Sequence, residues 1–134
     1  MGPSVAAQAP AALALSEGTM SALPRQRFGV ADVRDVADAH LKAAAMPDAA
    51  GKRYLLLADG PTITWLGLAE AIHDHLGAAG ASVTLKEAPG DEPTPLTIHN
   101  DRAKQDLDWQ PRAARTTITD TIDSLRQLGL LETR

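Results

Sequence analysis

A small α/β domain, with about four helices and a few short strands, is the fold this sequence predicts, on three observations. Residues 33–44 carry an unbroken helical stripe of apolar side chains. Residues 53–58, RYLLLA, form a consecutive apolar run of strand length. Helical and extended patterns then alternate along the chain. The run at 53–58 does not alternate polar with apolar, which suits a strand covered on both faces, as in a parallel sheet. With 134 residues the chain fits one domain, large enough to bury a modest core. Aromatics are only 3% of it, so that core is expected to rest on Leu, Ile, Val and Ala.

Residues 1–26 read as a lead-in of loop and short helix, with three prolines and much Ala and Ser. The helix is placed in AALALSEGTMSAL and ends at Gly18 or before Pro24. RFGVADV is extended, and Asp32 stands where a helix N-cap belongs, with Asp35 three residues on as in a capping box. The stripe of the next helix is Val33, Val36, Ala37, His40, Leu41 and Ala44, and Pro47 ends it. Arg34, Asp38 and Lys42 alternate in sign on another face, which suits solvent. After the 53–58 strand and an Asp-Gly-Pro turn, Thr62 or Thr64 caps a second amphipathic helix. Its stripe is Trp65, Leu68, Ala69, Ile72 and Leu76, and its stop is Gly77 or Gly80. SVTLKEA reads as a strand and the Pro-rich PGDEPTPLTIHN as a loop. Asn100 caps a short helix through Leu107, and Thr117 caps a last one with Ile118, Ile122, Leu125 and Leu128 facing inward.

The chemistry these residues offer is mostly structural. Asp32, Asp35 and Asp38 are carboxylates of a kind that holds a hard cation. Their spacing of three, beside Arg34, is explained more simply by capping and a solvated face. His40 falls in the apolar stripe and is expected to be packed rather than catalytic. His73 and His75 lie about 200° apart around a helix and cannot share a metal ion, and His99 is alone in a loop. Neither G-x-G-x-x-G nor G-x-x-x-x-G-K-[ST] occurs, and no two glycines are separated by a single residue. G-x-S-x-G is absent too, and there are no cysteines to form disulfides or thiolate metal sites. The net charge of -4 gives no pull toward nucleic acid or an anionic membrane. The longest apolar run of the N-terminus, AALAL, is too short for a signal sequence or a membrane span, so the expected location is cytoplasmic.

The order of the pieces says more than any one of them. Met1-Gly2-Pro3, FGVADVRDVADAHLKAA, GKRYLLLADGPTITWLGLAEAI, NDRAKQDLDWQP and TITDTIDSLRQLGLL follow one another across nearly the whole chain. Together they resemble the C-terminal, substrate-binding portion of the extended short-chain dehydrogenases/reductases, the NAD-dependent epimerase/dehydratase group. The branch around dihydroflavonol reductase is the most similar. Asp108 departs from the pattern, standing where the family usually has Gly before the Trp.

The resemblance implies that residues 27–134 are the substrate-binding lobe, that NAD(P) is the cofactor of the full-length family, and that the substrate is a small molecule. It places Gly2 and Pro3 near the nicotinamide and substrate, and Arg27 and Phe28 where relatives contact substrate. It also implies what is missing, since this is a partial domain lacking the N-terminal Rossmann half. The Gly-rich cofactor loop is not here, and the only tyrosine, Tyr54, is followed four residues on by Ala58 instead of the family's catalytic lysine. The chain alone is therefore expected to bind no cofactor and to be catalytically silent. The alternative expectation is a free-standing binding or dimerisation module. In either case the 53–58 edge would be left exposed, and self-association is expected.

Overall fold

Five α-helices and one two-stranded antiparallel sheet make up the described residues, 8–131 of a computed structural model, and form a small mixed α/β domain. Helix α1 (Gln8–Ser16) is followed by strand β1 (Arg27–Phe28) and helix α2 (Val33–Ala45). Strand β2 (Ile63–Thr64) leads directly into α3 (Trp65–Leu76), and α4 (Asp101–Leu107) and α5 (Ala114–Gln127) complete the order. In the sheet Arg27 pairs with Thr64 and Phe28 with Ile63.

Local chemistry explains the helix ends. The Thr64 hydroxyl accepts the Gly67 N–H at 2.9 Å and caps α3. The helix stops at Gly77, whose φ of 58° is open to glycine at little cost. The predicted stripe of α3 does face inward: Leu68, Ala69 and Ile72 are buried, with Trp65 and Leu76 packed at the margin. This stripe meets Ala12 and Leu15 of α1 and Ile118, Ile122 and Leu125 of α5, together with Leu23, Val83 and Leu131, in the larger core. Helix α1 is thus an integral part of that core.

A second, smaller core joins α2 to α4. It consists of Ala39, Ala103, Leu107 and Trp109, with Ala43, Ala49, Tyr54 and Leu56 packed against it. Trp109 is the largest fully buried side chain, and its indole N–H donates to the Asp35 carbonyl at 2.8 Å. Between α4 and Trp109 the chain turns through Asp108, the only non-glycine described residue with positive φ (49°). This is the left-handed C-cap geometry that favours glycine. Its Asp is the departure noted in the sequence, and Asp is among the few side chains that tolerate this conformation.

Four expectations are corrected. RYLLLA joins no sheet: its one backbone–backbone bond is Ala58 N–H to Val30 O at 2.7 Å. The ladder cannot continue, because the chain turns into α2 three residues after Val30. Just before Val30 the Leu57 side chain packs on Gly29, where a Cβ would lie 2.5 Å from Leu57 Cδ1. SVTLKEA likewise forms no strand. It touches Leu23 in a single bridge, flanked by Leu23 N–H to Lys86 O and Ala88 N–H to Leu23 O, both 2.8 Å. Pro24, with no N–H to give, follows at once.

The third correction concerns two caps: α5 starts at Ala114 with Ala113 in the capping position, and Thr117 lies inside the helix. Asn100 does precede α4, but its side chain caps nothing and donates instead to Leu57 O (2.9 Å) and to Asp59 Oδ1 (2.8 Å). The fourth is the face of α2. Its buried side is Asp35 and Ala39, whereas Val33, Ala37, His40, Leu41 and Ala44 of the predicted stripe are exposed. Leu41 is 74% exposed and Val33 64%. The periodicity was real, but the side the domain buries is the one anchored by Asp35.

Candidate functional site

The junction into α2 is dense in charge, and its partners settle what those charges do. Asp32, buried, caps the helix by accepting the Arg34 N–H at 2.9 Å. The same carboxylate takes the Arg34 guanidinium in a fork, Nε to Oδ1 at 2.9 Å and Nη2 to Oδ2 at 2.7 Å. It also accepts the buried Thr117 hydroxyl at 2.9 Å. Arg34 bridges onward to Asp120 of α5 at 2.7 Å. Hydrogen bonds from the Arg34 side chain, opposed by burial and joined by those from its backbone and Thr117, hold the Asp32 carboxyl well below the usual carboxylate range.

Asp35 is not the other half of a capping box. Its carboxylate is buried, accepting the Arg112 N–H at 2.7 Å and the Arg112 guanidinium. Asp38 faces outward to Lys42 at 3.2 Å. The three aspartates therefore point three ways, and each has protein partners. Among the described residues no three His, Cys, Asp or Glu side chains come together as metal ligands. The cluster is a clamp that fastens the start of α2 to α5 and to the segment around Trp109.

The residues singled out for substrate and cofactor are placed as follows. Gly2 and Pro3 lie outside the described residues. Arg27 and Phe28 are the two residues of β1. Arg27 donates from Nε and Nη2 to the Thr62 carbonyl (3.2 and 2.5 Å) and from Nε to its hydroxyl (3.3 Å). That hydroxyl also accepts the Leu96 N–H at 3.2 Å, so Thr62 ties β1 to the Pro-rich loop. Phe28 meets Trp65 edge-on, with centroids 5.8 Å apart and planes at 66°. It also lines an apolar recess with Val30, Leu68 and Ile118, but the recess has a volume of only about 20 Å³. That is room for a water molecule, not a substrate. Arg27 and Phe28 thus have partners within the fold, the Thr62 main chain and hydroxyl for one and the Trp65 ring for the other.

The more conspicuous feature is a surface. The exposed stripe of α2 runs along one side, and the segment 53–57 lies in the smaller core's margin with Leu55 half-exposed. Arg53, Leu55 and Leu56 make no hydrogen bond to any described residue. The segment thus has no sheet to belong to, and of its backbone groups only the Leu57 carbonyl has a partner among the described residues, the Asn100 side chain at 2.9 Å. His40, expected to be packed, is exposed, and its Nδ1 is 2.7 Å from the Val36 carbonyl one turn back.

Between the segment and the helix lies an apolar hollow of about 210 Å³, lined by Ala39, His40, Ala43, Tyr54, Leu56 and Leu107. Beyond Tyr54 a second cleft of about 290 Å³ opens toward the end of α2 and Asp106 of α4. There the Tyr54 hydroxyl and Lys52 Nζ both donate to Asp106 Oδ2, at 3.1 and 3.2 Å. Burial, with the Asp106 carboxylate adding to it, pushes the Tyr54 phenol above its ordinary value. The Lys52 ammonium holds Asp106 below its own. A phenol shifted upward is a poor base at neutral pH, and the trio works as a tie between segment and helix. The apolar character of the stripe and of the 53–58 run was visible in the sequence, but that both lie at the surface was not.

No helix of the described residues is long and apolar enough to cross a membrane. No protein-family model matches the sequence, and no curated protein does either.

Proposed function

We propose that this chain is the substrate-binding lobe of an NAD(P)-dependent oxidoreductase or epimerase of the extended short-chain dehydrogenase/reductase kind, a cytoplasmic protein completed by a Rossmann half that its 134 residues do not contain. The observation that carries this reading is the uncovered surface. A run of one tyrosine and three leucines without a sheet, next to a helix whose apolar stripe faces water, is a surface made to be covered. The sequence resemblance supplies the cover, since in that family the neighbours of such a segment belong to the cofactor-binding half.

On this reading the lobe walls off a substrate pocket and closes over the nicotinamide, with Arg27 and Phe28 presented toward the substrate from β1. Gly2 and Pro3 belong near the nicotinamide. The proton-transfer pair and the dinucleotide site come from the other half, and the isolated chain is catalytically silent.

Titration of the isolated chain with NADH and NADPH, followed by nicotinamide fluorescence, tests the assignment directly. No saturable signal at micromolar concentrations is expected, and micromolar binding would overturn it. A reading frame directly upstream of Met1 encoding a Gly-rich βαβ unit and Y-x-x-x-K would identify the missing half. An upstream frame of unrelated sequence, with no such half elsewhere in the same operon, counts against it.

A second reading, a free-standing dimerisation module, is favoured by the same exposed Val33, Leu41 and Leu55. A defined, concentration-independent dimer with no affinity for a Rossmann half distinguishes it from the first.

A further inference from the structure

We draw no further inference here: the strongest candidate, the open cleft of about 290 Å³ between the end of α2 and α4 where Lys52, Tyr54 and Asp106 converge, carries nothing, because those three groups satisfy one another and no buried side-chain atom of the described residues is left without a partner to select a ligand.

Discussion

Removing the Asp32 carboxylate is the most direct test of the clamp. In Asp32→Ala the helix loses its N-cap, which is worth about 1 kcal/mol. The Thr117 hydroxyl, buried and 2.9 Å from Asp32 Oδ2, loses its acceptor. An unsatisfied buried donor costs about 1–3 kcal/mol. Arg34 is about half exposed and keeps Asp120, so its loss adds only a few tenths. The expected destabilisation is therefore about 2–4 kcal/mol. Urea unfolding at pH 7 followed by circular dichroism reads this directly. With a slope of about 1–2 kcal/mol per M, the midpoint falls by roughly 1–4 M.

Asp32→Asn keeps one carbonyl oxygen for the cap at the Oδ1 position and sets an NH2 at the Oδ2 position, where the Thr117 hydroxyl can turn to accept; it removes the charge and is expected to lose less than Asp32→Ala. The pH dependence has a definite sign. The folded carboxyl titrates below its unfolded value, so the unfolded state takes up protons first as pH falls. The stabilisation is complete above about pH 5 and is lost as the pH drops below about 4, the unfolded carboxyl's range. The stability gap between wild type and Asp32→Asn should therefore narrow over that interval. A loss below about 0.5 kcal/mol in Asp32→Ala, or a gap that does not change with pH, would refute the clamp.

What could be read from the sequence was whatever depends on neighbours a few residues away. Asp32 as a cap, Thr64 as a cap, Gly77 as a stop and the inward face of α3 are all local, and all are found. The face of α2 is not local. A stripe of Val33, Ala37, Leu41 and Ala44 says only that the helix has an apolar side. Which side is buried is decided by the Arg112 main-chain N–H and guanidinium on Asp35, 77 residues away, and by Trp109 packing on Ala39. Thr117 misled for the same reason. A threonine near a helix start looks like a cap, but its hydroxyl is used by Asp32, 85 residues upstream. RYLLLA has the composition of a strand, and nothing within it shows that Val30 offers one hydrogen bond before the chain departs. As to the site, Arg27 and Phe28 were located by comparison alone. Their actual partners, Thr62 and Trp65, lie 35 and 37 residues on in sequence and left no local sign.

At Asp108, which sits in left-handed geometry, Asp108→Gly should match or exceed wild type by up to about 1 kcal/mol, whereas the β-branched Asp108→Val should lose about 1–2. Equal thermal midpoints for the two variants would contradict the backbone argument. Trp109→Ala should cost about 3–5 kcal/mol and Trp109→Phe, which keeps a ring but gives up the bond to the Asp35 carbonyl, about 1–2; chemical denaturation orders the two. Leu41→Glu and Leu55→Lys, on the uncovered surface, should leave stability within about 0.5 kcal/mol while lowering the apparent mass in light scattering. Unchanged association in both variants would mean that the exposed stripe and segment are not where copies meet.

The orientation of α2 is itself an argument about partners. A helix free to roll would bury Leu41 and Val33, whose transfer from water is worth about 1.5–3 kcal/mol each, and leave the alanine side out. It does the opposite because the inner side carries the Asp35 carboxylate with its two bonds from Arg112 and the Trp109 indole bonded to the Asp35 carbonyl, and a roll would break all of these and uncover the indole. The larger core is built from α1, α3 and α5 and takes no residue from α2. The clamp therefore fixes the apolar side outward, so it keeps that side available for another surface. The partly uncovered 53–57 segment lies beside the same helix, and Tyr54 and Leu56 fasten it to the smaller core without pairing its backbone. If the surface were incidental, apolar-to-charged changes there would affect neither folding nor assembly. If it is a docking face, they spare folding and abolish assembly, and separating those two effects in Leu41→Glu is the measurement that decides.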